Sequence, residues 1–313
     1  MIIYSTPDYN YLRREVMSAM RSTRMHMDVK EGNIDYQSFP DGELYTRVKD
    51  RVVGENCVIL SGLNSDNNFM QVCEMAQFLV EHDARKLIFI IPYFGYSTME
   101  RATKEGELVK AKYRADMLSR LPRASYGNRL VMMDLHSEQI LHYFHDVTTY
   151  MISNRNIVTQ AAAAMVGEGK PYVIAATDVG RAKHIEYLAR VSGMEPAYVY
   201  KRRESGTQTE ITGANCDVKD KSVVIYDDMI RSGSSILKAA EIYKNLGANR
   251  IFVIATHAPM LDGVRALLRH PNINGVAIMN TVPLTQDLDD HEIYYDKLRL
   301  YSVAGNIVDW LSQ

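Results

Sequence analysis

The sequence predicts an α/β protein of two similar domains, each a mostly parallel sheet covered by helices. Three observations carry this. Short runs rich in Val and Ile, without polar alternation, recur along the whole chain, as in strands buried on both faces. Longer stretches with apolar residues at three- and four-residue intervals separate them, and that alternation implies layered α/β units with right-handed crossovers. The length of 313 residues suits two domains better than one, since a domain averages about 150 residues.

Taken in order, the first predicted strand is 58–60 (VIL), followed by a helix over 68–80. The run 87–91 (LIFII) gives the next strand, and a polar stretch, 97–107, precedes a helix over 110–121. The strand 130–133 (LVMM) ends beside Asp134, and a helix follows over 155–166. Strands 172–175 (YVIA), 223–226 (VVIY) and 251–255 (IFVIA) belong to the second half, with a helix over 235–246. The stretches 97–107 and 204–213 fit neither period and read as loops, of the size often used as lids. The boundary falls near Met151, giving domains over 1–150 and 151–302, with the last helix in 303–313 packing back on the first. A faint correspondence between the halves pairs Met133 and Asp134 with Tyr226, Asp227 and Asp228.

Composition excludes several classes. With 36 Lys plus Arg against 38 Asp plus Glu the formal charge is −2, so the chain lacks the broad field of a nucleic-acid or anionic-membrane binder, and any anion site is local. Cys57, Cys73 and Cys216 form no CxxC pair, which argues against a disulfide framework or structural zinc and for a reducing cytoplasm. No basic region followed by a long apolar stretch opens the chain, so no secretory signal is expected. The most apolar run, 87–96, is interrupted by Pro92 and falls short of the ~20 residues a membrane span needs.

The most informative segment is 222–237, SVVIYDDMIRSGSSIL: a strand reaching Asp227 and Asp228, a turn of Arg231, Ser232, Gly233, Ser234 and Ser235, then a helix. Ligands of open parallel sheets sit at strand carboxyl ends, and a helix start offers unpaired N–H groups to a phosphate. Gly233 permits close backbone approach, and the serines add hydroxyl donors. The paired acids are suited either to vicinal sugar hydroxyls or to a metal. Neither GxxxxGK[ST] nor GxGxxG occurs.

These residues, together with FPDGE (39–43), PYFGY (92–96), DLH (134–136), DVG (178–180), KRR (201–203) and NTVPL (280–284), run in the order found in the ribose-phosphate pyrophosphokinases, and the chain resembles that family along almost its whole length. The resemblance implies type I phosphoribosyltransferase-like domains with the active site between them at the strand carboxyl ends. It implies Mg²⁺-dependent transfer of the terminal diphosphoryl group of ATP to the anomeric hydroxyl of ribose 5-phosphate, giving PRPP and AMP. It assigns transition-state stabilisation to Lys201 and Arg203, and ATP contacts to Phe39, Asp41, Glu43, Arg101 and His136, the adenine lying partly in a neighbouring subunit of a homo-oligomer. It assigns the acceptor to Asp178, Asp227, Asp228, Arg231, Ser232, Gly233, Ser234 and Ser235, and the metal to His136 and Asp178. No nucleic acid or membrane partner is implied.

Two departures mark this chain. After PYFGY the common bacterial and animal enzymes have Ala-Arg-Gln-Asp-Arg, whereas here stand Ser97, Thr98, Met99, Glu100 and Arg101, closer to the plant-type phosphate-independent class. In the signature turn, Arg231 replaces an acidic residue and serines replace a Thr-Gly-Gly-Thr ending. The reversed charge leaves open a more highly charged ribosyl acceptor such as ADP-ribose, and the lost Arg-Gln pair a non-catalytic regulatory homologue.

Overall fold

The computed structural model describes residues 1–22, 28–177, 179–204, 208–284 and 296–313, and at 179, 200–204 and 208–213 it describes the backbone. The chain divides into two compact units: Met1–Ser153 with Thr281–Pro283 and Ala304–Gln313, and Asn154–Asn280 with Leu284–Val303.

The first unit is built on β1 (Ile2–Ser5), β2 (Lys30–Glu31), β5 (Asn56–Leu60), β6 (Lys86–Ile91), β7 (Asn128–Met133) and β8 (Thr148–Ile152), with a hairpin of β3 (Ile34–Ser38) and β4 (Leu44–Val48) inserted before β5. Its sheet is parallel throughout, in the order β2-β1-β5-β6-β7-β8. The central strands are buried along nearly their whole length, which explains why β5 and β6 read as unbroken apolar runs. Helices α1 (Asn10–Ser22), α2 (Asp66–Glu81) and α3 (Lys110–Ser119) complete the layers. The Ser65 hydroxyl caps α2 by accepting from the Asn68 N–H at 3.0 Å. Phe69, Val72, Ala76 and Leu79 on one face of α2 join the core.

The second unit repeats this plan. Strands β9 (Val173–Ala175), β10 (Glu195–Ala197), β13 (Ser222–Met229), β14 (Arg250–His257), β15 (Gly275–Met279) and β16 (Leu298–Tyr301) form a parallel sheet in the order β10-β9-β13-β14-β15-β16. The antiparallel hairpin of β11 (Val199–Glu204) and β12 (Gln208–Ala214) again precedes the strand that joins the centre of the sheet. Helices α4 (Arg155–Val166), α5 (Ala182–Ser192), α6 (Ser234–Asn245) and α7 (Leu261–Arg269) cover it. The final helix, α8 (Ala304–Leu311), belongs to the first unit, where it packs on α1 and sets Trp310 edge-on to Tyr150 at 5.3 Å.

The structure corrects two readings of the sequence. The polar stretch 204–213 is not one loop: Glu204 ends β11 and residues 208–213 lie in β12, where backbone pairing across the hairpin holds a polar sequence in strands. The correspondence between halves is also shifted. Strand order makes β13 the counterpart of β5, not of β7, so Asp227 and Asp228 answer to Ser61 and its neighbours rather than to Asp134.

Candidate active site

The acids of the signature occupy the carboxyl end of β13, which continues one residue past them to Met229. Asp228 is buried and Asp227 half-buried. Both are held by Arg181: its Nε donates to Asp227 Oδ1 at 2.9 Å and its Nη2 to Asp228 Oδ1. The Asp228 N–H also donates to Asp227 Oδ1 at 2.9 Å, and Thr177 Oγ1 donates to Oδ2 at 3.4 Å. Burial pushes the Asp227 carboxyl up to about 7, against the pull of Arg181 and with the repulsion of Asp228. Among the described residues, the ion pairs of Asp227 and Asp228 are both made with Arg181.

Beyond Met229 the chain turns on two inward residues. Ile230 is fully buried, its N–H donating to the His257 carbonyl at 2.8 Å, and Gly233 is buried at φ +75°. A Cβ at Gly233 would lie 3.1 Å from the Gly263 carbonyl of α7, and one at Gly263 would lie 1.9 Å from the Arg231 carbonyl, so this turn requires both glycines. Arg231, Ser232, Ser234 and Ser235 are exposed between and after these anchors. Helix α6 begins at Ser234 with Gly233 as its cap, so Ser234 and Ser235 form its first turn. The Ser232 and Ser234 hydroxyls lie 3.0 Å apart, and the Leu237 N–H is taken by the Gly233 carbonyl at 2.9 Å. The Ser234 N–H donates to Ser232 Oγ at 3.4 Å, so a row of exposed serines at a helix start follows immediately after the pair of acids.

Lys201 and Arg203 lie on β11, opposite Ile211 and Thr209 of β12. Asp178 lies outside the described residues.

In the first unit the candidate residues occupy three segments. Phe39, Asp41 and Glu43 form the β3–β4 turn, closed by Phe39 N–H to Glu43 O at 2.8 Å and Gly42 N–H to Phe39 O at 2.9 Å. Asp41 accepts the Glu43 N–H at 3.0 Å, so this acid shapes the turn it occupies. Phe39 is 48% exposed, edge-on to Tyr45 at 6.4 Å. Arg101 follows β6, exposed, with Nε 3.4 Å from Glu100 Oε1. His136 follows β7 on a turn started by Asp134 at φ +35°; Leu135 points inward and His136 is exposed. PYFGY is structural as far as Gly95, where a Cβ would lie 1.9 Å from the Leu63 carbonyl.

Sequence reasoning missed Arg181 and Thr177. Arg181 ends the DVGR run, and nothing in that run points to its partners Asp227 and Asp228. Among the described residues no group of three or more His, Cys, Asp and Glu side chains is placed to hold a metal, and no helix is long and apolar enough to cross a membrane.

Comparison with known proteins accounts for most of the chain. A family model described as the N-terminal domain of ribose phosphate pyrophosphokinase matches residues 1–121, and one described as the phosphoribosyl synthetase-associated domain matches 196–298. A ribose-phosphate pyrophosphokinase from Pyrococcus furiosus is 32% identical over 253 residues, covering 80% of this chain and 86% of its own. One from Haemophilus ducreyi is 29% identical over 293 residues, 92% of this chain and 89% of its own. The crystal structure of phosphoribosylpyrophosphate synthetase from Mycobacterium smegmatis superposes with a TM-score of 0.83 at 23% identity, over 99% of this chain and 97% of that one, which establishes the shared fold. With its two units, its signature loop and these relatives, the chain belongs to the ribose-phosphate pyrophosphokinase family.

Proposed function

We propose that this protein transfers the terminal diphosphoryl group of Mg-ATP to the anomeric hydroxyl of ribose 5-phosphate, giving PRPP and AMP. The observation that carries this reading is the β13–α6 segment: two acids at a strand end, followed by an exposed serine turn that opens a helix. Asp227 and Asp228 accept hydrogen bonds from the vicinal ribose hydroxyls. Arg231, Ser232, Ser234 and Ser235, with the backbone at Gly233, hold the 5-phosphate by charge, hydroxyls and helix-start N–H groups.

The anomeric oxygen attacks the β-phosphorus, the bond from that phosphorus to the α–β bridging oxygen breaks, AMP leaves, and the hydroxyl proton passes to solvent. No covalent enzyme intermediate is needed, so the protein contributes alignment and charge stabilisation. Lys201 and Arg203, on a hairpin strand, stabilise charge on the transferred oxygens. Phe39, Asp41, Glu43, Arg101 and His136 meet the nucleotide. The exposed Phe39 and Tyr45 on the β3–β4 hairpin favour an adenine site completed by a second copy of the chain. The donor's Mg²⁺ supplies charge neutralisation of the phosphates when bound; His136 and Asp178 are assigned to it, and an exposed imidazole fits an ion that arrives with its nucleotide and keeps most of its waters. The three cysteines are free, with burial pushing the Cys57 thiol up to about 12 and the Cys73 thiol to about 11, as suits a cytoplasmic enzyme.

One observation favours a second acceptor. Arg231 is exposed in the turn assigned to the 5-carbon substituent, where a further cation suits a diphosphate such as that of ADP-ribose. The test is AMP release, followed by chromatography, from purified protein with Mg-ATP and either ribose 5-phosphate or ADP-ribose. AMP formed with ribose 5-phosphate supports the first reading, and AMP formed with ADP-ribose alone supports the second.

A further inference from the structure

The acid pair does not stand alone, and the residue that accompanies it comes from another part of the second unit. Arg181 closes the 3-10 turn Val179–Arg181 after β9, and it reaches both Asp227 and Asp228, the latter 47 residues later in the chain. Its guanidinium uses two different nitrogens, Nε for one carboxylate and Nη2 for the other. All three side chains are largely enclosed, with exposures of 20% for Arg181, 13% for Asp227 and 4% for Asp228. A planar donor fork held by two acceptors fixes the distance and tilt between those acceptors, which a point charge does not.

The first unit gives an internal comparison. There the 3-10 turn Pro7–Tyr9 follows β1, the counterpart of β9, and its third residue, Tyr9, donates its hydroxyl to Asn64 Oδ1 at 3.1 Å in the loop after β5. The same position is thus filled by a neutral aromatic side chain in one unit and by a cation in the other. The framework alone does not demand a charge there.

Resting on the acceptor reading above, we infer that Arg181 is a positioning residue for the acceptor's vicinal diol: it sets the two carboxylates at the spacing and orientation that grip both ribose hydroxyls. Arg181 meets Oδ1 of each acid, and Thr177 Oγ1 lies 3.4 Å from Oδ2 of Asp227. Without the fork the two carboxylates repel and rotate apart, and an acceptor with one hydroxyl loses little relative to one with two.

The experiment compares ribose 5-phosphate with 2-deoxyribose 5-phosphate as acceptors in the wild-type protein, Arg181→Ala and Arg181→Lys, with ATP saturating. The wild type should favour ribose 5-phosphate in kcat/KM by tenfold or more. Arg181→Ala should raise the ribose 5-phosphate KM by tenfold or more, leave the ATP KM within twofold, and reduce the preference for ribose over deoxyribose to threefold or less. Arg181→Lys retains the charge without the fork, so it folds under the same electrostatic balance and should still lose most of the preference. If the preference is intact in Arg181→Lys, or in a folded Arg181→Ala, the positioning role is wrong and Arg181 serves stability alone. If the wild type itself transfers to neither sugar, or does not distinguish them, the assignment of Asp227 and Asp228 to the ribose hydroxyls fails instead.

Discussion

The two units share one order of strands and one order of elements, yet the loop after the corresponding strand is closed in the first and open in the second. After β5, Ser61 is buried and bonded to Thr6 Oγ1 at 2.8 Å, and Gly62 lies so near Tyr9 that a Cβ would stand 1.9 Å from its hydroxyl. Tyr9, with no exposure, also donates to the Thr281 carbonyl at 3.0 Å. After β13 the corresponding space holds an ion cluster, and Arg231, Ser232 and Ser234 face solvent. A parallel sheet thus offers the same carboxyl-end position twice, and whether it becomes packing or a site depends on a few residues of the turn.

The largest effect should come from the second unit's hairpin. Lys201→Ala or Arg203→Ala should lower kcat by about 10² to 10³, the typical loss of one preorganised electrostatic group, with little change in the ATP KM. Steady-state kinetics at saturating acceptor would check this, and near-normal turnover in both variants would remove the hairpin from the mechanism.

Next in size are changes to the loops themselves. Asp228→Ala removes an acceptor of charged hydrogen bonds, a loss of about 1.5 to 3 kcal/mol that should appear in kcat/KM for every ribosyl acceptor. Tyr9→Phe removes the hydroxyl whose one proton is shared between the Thr281 carbonyl and Asn64 Oδ1 in the first unit and should cost stability by about 1 to 3 kcal/mol, visible as a lower Tm, while leaving acceptor kinetics unchanged. Equal kinetic damage from both variants would break the contrast between the two loops.

A smaller effect is expected with pH. The native Asp227 carboxyl stands at about 7 against an ordinary 3.8, so between those values the native state holds a proton that the unfolded chain releases. Its contribution to stability is fully present below about pH 4 and is lost as pH rises through about 7. On the proposed acceptor role of Asp227, binding needs the carboxylate, so kcat/KM for the acceptor should rise over the same interval. Asp227→Asn should flatten the stability slope, measured as Tm against pH. The smallest effect is expected from free phosphate: with the 97–107 stretch departing from the Arg-Gln pattern, titrating phosphate into the assay should leave the rate flat or lower it, and saturable activation would assign the chain to the phosphate-activated class.

Much of this arrangement was legible in the sequence, and the exceptions have physical causes. β6 and β14 announce themselves because strands buried on both faces must be apolar throughout. β3, with half-buried and exposed residues, and β2, with two exposed ones, carry no such pattern. The signature turn was readable because acids, glycine and serines fall within nine residues, 227–235, of one strand–loop–helix unit. Arg181 was not, because its significance lies in partners 46 and 47 residues away that only the fold brings near. The counterpart of Asp227 was misassigned because a strand-end acid after β7 resembles one after β13, while the true counterpart, the Ser61 loop, has no acid at that point.

The central claim is that the second unit's loop holds a ribosyl acceptor for diphosphoryl transfer. It is tested most directly by following ATP labelled in its β-phosphate with ribose 5-phosphate, in the wild type and Asp228→Ala. The account predicts that the label moves to the sugar as AMP forms one for one, and that the variant loses this transfer while still binding ATP. Label retained in ADP, or transfer undiminished in Asp228→Ala, would contradict it.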